Sequence, residues 1–159
     1  SSLIIKTILS DFFIIYQLFL TFIRKSNMLL IIYTILIGYM VFFTLCIAPV
    51  INSTLDRENA SKLLKKIFPK NFKFGLIISL VAIIFSLLEK NIGSLFVSLA
   101  LFIFFLFNLF YIMPNINVVA DKDRKNIKFS NKFKRLHFFS VGLYLIKMLL
   151  SIIGVIISY

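Results

Sequence analysis

Four long runs of apolar residues dominate this chain, and each contains at most one charged residue. The runs cover residues 28–51, 74–88, 92–113 and 138–159. A helix needs about 20 residues to cross the ~30 Å hydrocarbon core of a membrane, and three runs reach that length. The shorter run, at 74–88, reaches it if residues 71–73 join it. Unbroken runs are unlike the alternating pattern of a transmembrane β-barrel, so we predict an all-α integral membrane protein with four transmembrane helices.

The overall composition supports this class. The 159 residues suffice for one domain, and 60% of them are hydrophobic, whereas soluble domains are about 45–50% apolar. The net charge of +12 would indicate nucleic-acid binding in a soluble protein. Here the basic residues flank the apolar runs. We therefore expect anionic membrane lipid as a partner, together with a membrane-protein partner or a further copy of the chain, and no nucleic acid.

The first 27 residues form an N-terminal segment ahead of a membrane domain that we place at residues 28–159. Five of its residues fall on one face of a helix: Lys6, Ser10, Gln17, Thr21 and Arg24. This pattern predicts either an amphipathic helix at the membrane surface or a fifth span with a polar stripe toward the bundle. Charges at depth are costly, so Lys6 and Asp11 favour the surface helix.

A cationic insert separates the first two apolar runs. Its apolar residues follow the i, i+3, i+4, i+7, i+8 pattern of a helix, at Ala60, Leu63, Leu64, Ile67 and Phe68. The positions between them include Lys62, Lys65 and Lys66, which we expect to contact anionic lipid headgroups. We therefore predict an interfacial amphipathic helix in the first loop, with a loop helix folded over the bundle as the alternative.

The three prolines are expected near helix ends, because proline in a helix interior removes a hydrogen bond. Pro49 and Pro114 lie near the C-terminal ends of the first and third spans, and Pro69 ends the insert's helical pattern. We therefore expect the insert helix to end at Pro69.

The basic residues are distributed unevenly over the loops. Six Lys and Arg lie between the first and second spans and seven between the third and fourth, whereas the loop between the second and third spans has one, Lys90. Lysine and arginine mark the cytoplasmic side of a membrane protein. We therefore place both long loops in the cytoplasm and the C-terminus on the other side of a bacterial inner membrane.

The residues that catalysis and cofactor binding usually require are scarce. The chain has one histidine and one cysteine, and it contains no nucleotide-binding, zinc-protease, CxxC or nucleophile-elbow motif. A metal site with several soft ligands is disfavoured, and bis-histidine haem ligation within one chain is excluded. We expect no catalytic residue, no metal and no cofactor, and hence no enzyme.

Lys147 is the first candidate functional residue, because it is the tenth residue of the run at 138–159. A lysine at that depth is expected to face the bundle interior and to meet a polar partner. Asn108 is one candidate partner, and Asp11 is the better one if residues 3–23 span the membrane. The alternative is a tilted helix from which Lys147 extends to the membrane surface.

Three further candidates lie at the membrane boundary. His137 and Ser140 are spaced i, i+3 at the start of the fourth span, so both can face one side, as a proton relay or a ligand contact would need. The alternative is a histidine that ends an apolar run at the interface. Asp121 lies two residues before Asp123, a spacing that suits a turn or a divalent cation, but the neighbouring basic residues favour solvated loop charges.

A set of residues in both halves of the chain resembles the transmembrane protein 205-like family, whose bacterial members are mostly known as a domain of unknown function. The resemblance covers about residues 30–150 and implies a four-helix integral membrane protein with no established reaction. It is carried by Gly38, Ala48, Pro49, Leu55, Ala60, Ile67, Phe68, Pro69, Phe72, Pro114, Ile116, Asp121, Phe133, His137 and Ser140.

These observations favour a small, non-enzymatic membrane protein with a transport-, stress- or assembly-related role. One alternative is a proton-coupled transporter component that uses Lys147 and His137. A second alternative is the membrane subunit of a redox complex whose cofactor is shared with a partner. Co-purifying haem or quinone would favour the redox subunit, and one stoichiometric partner would favour the assembly role.

The charge asymmetry generates a prediction about topology. Cysteines introduced at Lys66 and Lys128 should react with a membrane-impermeant thiol reagent only from the cytoplasm, and a cysteine at Asn91 only from outside. Labelling of the first two positions from opposite sides would overturn the four-span topology.

Overall fold

The computed structural model describes residues 13–15, 17–18, 21, 27–123 and 130–159, and four long helices account for most of them. All four are long and apolar enough to cross a membrane, which confirms the predicted all-α membrane fold. We call them spans 1 to 4: Met28–Thr54, Glu58–Leu88, Ile92–Lys122 and Asn131–Ser158. The predicted helix of residues 1–27, with Asp11, lies largely outside the described residues.

The four spans form a closed bundle in which each packs beside two others. Span 1 contacts spans 2 and 4, and span 3 contacts the same two. Only two residues separate the helical parts of spans 1 and 2, and three separate spans 2 and 3, so consecutive spans are antiparallel neighbours. The bundle therefore has two ends. The connections between spans 1 and 2 and between spans 3 and 4 lie at one end, which we call the basic end. The connection between spans 2 and 3 lies at the other, which we call the opposite end.

Spans 1 and 3 each contain a π-helical turn directly ahead of a proline. In span 1, Met28–Phe42 is followed by the π turn Phe43–Ile47 and the helix Ala48–Thr54. Span 3 repeats this order with Ile92–Phe107, the π turn Asn108–Ile112 and Met113–Lys122. Both prolines stand at the second position of the helix that follows.

The π turns correct the expectation that Pro49 and Pro114 mark the ends of these spans. Proline has no N–H, and its ring clashes with the carbonyl four residues earlier in an α-helix. In the wider turn, the Ala48 N–H donates to the Phe43 carbonyl and the Met113 N–H to the Asn108 carbonyl, five residues back. The helices therefore continue past both prolines.

The cationic insert also differs from its prediction. Residues 60–68 are helical, as expected, but Pro69 does not end the helix, which runs without a break from Arg57 to Leu88. Beside the proline, the centre of the Phe68 ring lies 5.4 Å from that of Phe43 and 5.9 Å from that of Phe72, so this part of the helix packs against span 1. At 1.5 Å per residue the helix is about 48 Å long, so its first turns extend beyond a ~30 Å hydrocarbon core. The insert is thus the start of span 2 and not a separate interfacial helix.

The start of span 2 is fixed by a charged cap. The Asp56 carboxylate accepts hydrogen bonds from the Asn59 side chain at 2.6 Å and from the Asn59 N–H at 3.4 Å. These bonds favour the ionised form and lower the pKa of Asp56. One turn on, Lys62 pairs with Glu58 at 2.9 Å, and Lys66 is exposed.

Small polar residues bring the spans together at the opposite end. The Tyr33 hydroxyl, fully buried, donates to the Ser94 carbonyl at 2.9 Å and lies 2.7 Å from the Ser98 hydroxyl. Ser94 in turn lies 3.2 Å from Ser158 through their hydroxyls. Gly154 lets span 4 approach the Tyr33 ring, because a Cβ there would lie only 2.6 Å from a ring carbon. Close approach with interhelical hydrogen bonds is how membrane helices associate.

Two glycines of span 4 provide a matched test of this packing. Gly154→Ala should lower the free energy of unfolding by about 1–3 kcal/mol, because the methyl group overlaps the Tyr33 ring. Gly142 has no atom within 4 Å of the corresponding position, so Gly142→Ala should be neutral or stabilising by up to about 1 kcal/mol. Thermal unfolding in a mild detergent measures both, and equal effects would contradict the packing described.

Candidate ligand-binding site

A cavity of about 550 Å³ lies between the four spans at the basic end of the bundle. The connection between spans 1 and 2 contributes to its wall as well. Most of its lining is apolar and includes Phe43, Ala48, Leu64, Phe68, Ile116 and Phe133. The first π turn forms part of this wall, and Met113, directly after the second π turn, forms another part. Single π turns inside α-helices occur frequently at functional sites.

A few polar side chains converge on the same cavity. His137 and Ser140 both line it, so the i, i+3 spacing correctly predicted that they share a face. The His137 ring stacks on Phe133, with 5.9 Å between the ring centres and an interplanar angle of 5°. The other polar lining residues are Thr44, Asn52, Ser61, Lys65, Asn117 and Tyr144. Asn52 and Asn117 are not predictable as site residues from the sequence, because neither belongs to a motif or lies deep within an apolar run.

Asp121 takes part in an ion pair beside the cavity. Its carboxylate contacts the Lys65 ammonium, which joins span 3 to span 2. Asp123 points elsewhere and accepts a hydrogen bond from the Ser130 N–H at 2.8 Å. Within the described ranges no group of three or more His, Cys, Asp or Glu is placed to hold a metal ion. The two aspartates therefore connect helices, and Lys65, a predicted lipid contact, has a protein partner.

Lys147 lies in the bundle interior, as predicted, with 0% of its side chain exposed. Its Nζ is 4.2 Å from the centre of the Phe105 ring, 4.6 Å from that of Phe72 and 5.1 Å from that of Tyr144. Ring faces within about 6 Å attract a cation through their quadrupoles. Spans 2, 3 and 4 each contribute one of these rings. Aromatic faces from three helices therefore surround the Lys147 Nζ.

The predicted polar partner of Lys147 is not found among the described residues. Lys147 Nζ makes no hydrogen bond to any of them, and neither side-chain polar atom of Asn108, which is also fully buried, has a partner there. The proposed Lys147–Asn108 hydrogen bond is therefore absent, and Asp11 lies outside the described residues. Unsatisfied buried polar groups are rare in folded proteins and call for an explanation.

Phe72 and Tyr144 separate the cavity from Lys147. Both rings line the cavity and lie 4.6 and 5.1 Å from the lysine Nζ, whereas Lys147 itself is not a lining residue. The Tyr144 hydroxyl donates to the Met40 carbonyl at 3.3 Å, which links span 4 to span 1. The deepest part of the cavity is thus one aromatic layer away from a buried amine.

The Lys147 environment generates a prediction about stability. An ammonium placed within a span costs about 2.5–3.5 kcal/mol on insertion scales, so Lys147→Met and Lys147→Leu should leave membrane insertion intact and should not lower thermal stability. We expect both to impair function, measured as any cellular phenotype beside abundance in membranes. Lys66→Met, at an exposed position, is the control. A loss of folded protein in both Lys147 variants would instead mean that the lysine is needed for folding.

Comparison with known proteins gives a family but no described activity. Residues 31–125 match the model of a domain of unknown function, DUF4149. No curated protein and no solved structure matches the chain. The matched segment holds spans 1 to 3, with both π turns and their prolines, and it supplies most of the cavity wall. Because it covers more than half of the chain, this protein belongs to the DUF4149 family of domains of unknown function.

Proposed function

We propose that this protein is a non-enzymatic membrane protein that binds a small, largely apolar molecule in the cavity at the basic end and has a transport- or stress-related role. The cavity carries the proposal. Ligand sites in proteins are typically concave spaces of about 300–1,000 Å³ with apolar walls and a few convergent polar groups. The space of about 550 Å³ between the four spans has that size and that lining.

The polar groups of the cavity support binding rather than catalysis. Nucleophilic catalysis needs a nucleophile within about 2.6–3.2 Å of a base that a third group orients. His137 stacks on Phe133, and no hydrogen bond joins its ring to Ser140, the hydroxyl on the same face. The remaining polar residues can orient a ligand through single hydrogen bonds. This is the contribution expected of a binding site.

We further propose that the basic end faces the cytoplasm of a bacterial inner membrane and that anionic lipid gathers around it. The excess of Lys and Arg in both long loops supports this orientation. Lys62 and Lys66 have exposed side chains on the first turns of span 2, beyond the hydrocarbon core, where headgroups lie. The resemblance to the transmembrane protein 205-like family is compatible with this arrangement, and we propose that relationship as well.

A second candidate is a proton-coupled transporter component that uses Lys147 and His137. One observation favours it: Lys147 is completely buried, lacks a hydrogen-bond partner among the described residues and sits one aromatic layer below the cavity that His137 lines. Intramembrane ionisable residues commonly mark ion and proton paths. Uptake of protons into liposomes that contain the protein, compared between wild type and Lys147→Met, separates this candidate from simple binding.

A pair of adjacent leucines tests the binding proposal. Leu64 lines the cavity, whereas Leu63 does not and is 37% exposed. Leu64→Trp should fill part of the cavity and reduce the retention of bound molecules about tenfold, the effect of 1–3 kcal/mol of overpacking. Leu63→Trp, the control, should retain them as wild type does.

The measurement is native mass spectrometry of protein purified in a mild detergent. Because the chain has no native tryptophan, the introduced residue also reports occupancy by its fluorescence. If wild type retains no molecule and binds none from a panel of membrane lipids, or if both variants behave alike, the cavity is not a binding site.

A further inference from the structure

We propose that the cavity takes a single-chain anionic amphiphile, a long-chain carboxylate or phosphate monoester, and that its anionic head binds Lys147. This rests on the proposed binding function and specifies its ligand. In the bound state the acyl chain fills the apolar cavity, and the head lies below the layer formed by Phe72 and Tyr144. Three observations support it: a buried lysine amine that has no hydrogen-bond partner among the described residues, a cavity one aromatic layer away, and a lysine in the cavity wall that is already paired.

The Lys147 amine has no counter-charge among the described residues. Lys147 is 0% exposed, and its surroundings are ring faces, which attract a cation but carry no negative charge. The chain has six acidic residues, and the five described ones all lie at helix ends or in connections: Asp56, Glu58, Glu89, Asp121 and Asp123. None of these five is placed in the middle of the bundle. Burying a charge without a counter-charge is costly, so an anion delivered to this point gains a strong interaction.

The path to the lysine is short. Phe72 and Tyr144 are shared, because each lines the cavity and also contacts Nζ, at 4.6 and 5.1 Å from the ring centres. The Tyr144 hydroxyl donates a hydrogen bond of 3.3 Å to the Met40 carbonyl, and Phe72 packs on Phe68 and Tyr144. The bound state therefore requires one of these two rings to turn aside, a side-chain rearrangement of the kind that accompanies binding in many complexes.

A lysine in the cavity wall already has a partner. This residue is Lys65, whose ammonium is paired with Asp121, and we call the part of the wall around it the rim. A head group at the rim would therefore compete with a carboxylate that is fixed in place, whereas Lys147 has no such competitor among the described residues. The apolar walls then suit the chain that follows the head. Lys66 and Lys70 are exposed on the part of span 2 that contributes Leu64, Lys65 and Phe68 to the cavity wall, and exposed lysines at a membrane surface attract anionic amphiphiles.

The test compares three probes that share one chain: hexadecanoate, hexadecyl phosphate and neutral hexadecanol. Each is titrated into the purified full chain in a neutral detergent, and binding is followed by native mass spectrometry. Wild type should bind at least one of the two anions about tenfold or more tightly than the alcohol, because a hydrogen bond to a charged group has about that effect. Lys147→Met should abolish the preference and leave the affinity for hexadecanol unchanged. Lys90→Met, an exposed position at the opposite end of the bundle, is the control and should keep the preference, whereas Lys65→Met tests whether the head group binds at the rim instead.

The relative affinities of the two anions identify the head group. Tighter binding of hexadecanoate indicates a carboxylate ligand, and tighter binding of hexadecyl phosphate indicates a phosphate ligand. A hexadecanoate analogue with a photoreactive diazirine beside the carboxylate gives a second measurement on the unmodified protein. It should label Phe72, Tyr144 or their neighbours and not the rim around Lys65, and rim labelling would contradict the inference even if Lys147→Met failed to fold.

The outcomes separate this inference from the proposed function. If wild type binds none of the three probes, the cavity does not take single-chain amphiphiles. The inference about Lys147 and the binding function are then both wrong for such molecules. If it binds all three equally, the cavity stands as a binding site and the role of Lys147 is overturned. If the anion preference survives Lys147→Met but is lost in Lys65→Met, the head group sits at the rim and the inference is again overturned.

Discussion

The structure depends on one constraint: within a membrane every backbone N–H and carbonyl has to find its partner inside the protein. This is why the chain consists of four long helices and why its prolines required special solutions. In spans 1 and 3 a π turn precedes the proline and shifts the hydrogen bonds by one residue. The shift widens the helix beside Phe43 and Met113, which are buried and line the cavity. The cavity is therefore built partly from the way in which the backbone accommodates proline.

Structural features that depend on a single helix could be predicted from the sequence. The length of the apolar runs gave the number of spans, and the i, i+3 spacing placed His137 and Ser140 on one face. The position of Lys147 within its run predicted burial, because a lysine in hydrocarbon is costly. Helix ends were predicted less well. The three prolines predict helix ends, but π turns let the helices continue past Pro49 and Pro114, and Pro69 lies inside a continuous helix.

What the sequence could not predict arises between helices. The three rings around Lys147 come from three different spans, and no local pattern links Phe72, Phe105 and Tyr144. The expected Lys147–Asn108 bond was inferred from depth alone, and depth does not fix the direction in which a side chain points. The pairing of Lys65 with Asp121 likewise joins residues 56 positions apart. The pieces of the candidate site were visible in the sequence, whereas their assembly depended on tertiary packing.

The two ends of the bundle differ in how firmly their helices are joined. At the opposite end Tyr33, Ser94, Ser98 and Gly154 hold the spans in close contact through hydrogen bonds and a glycine. At the basic end the cavity lies between the same helices, which the Lys65–Asp121 ion pair and the contacts of Phe43 and Tyr144 hold together. None of the four residues that join the opposite end lines the cavity. A molecule in the cavity is therefore separated from the other membrane face by helices in close contact.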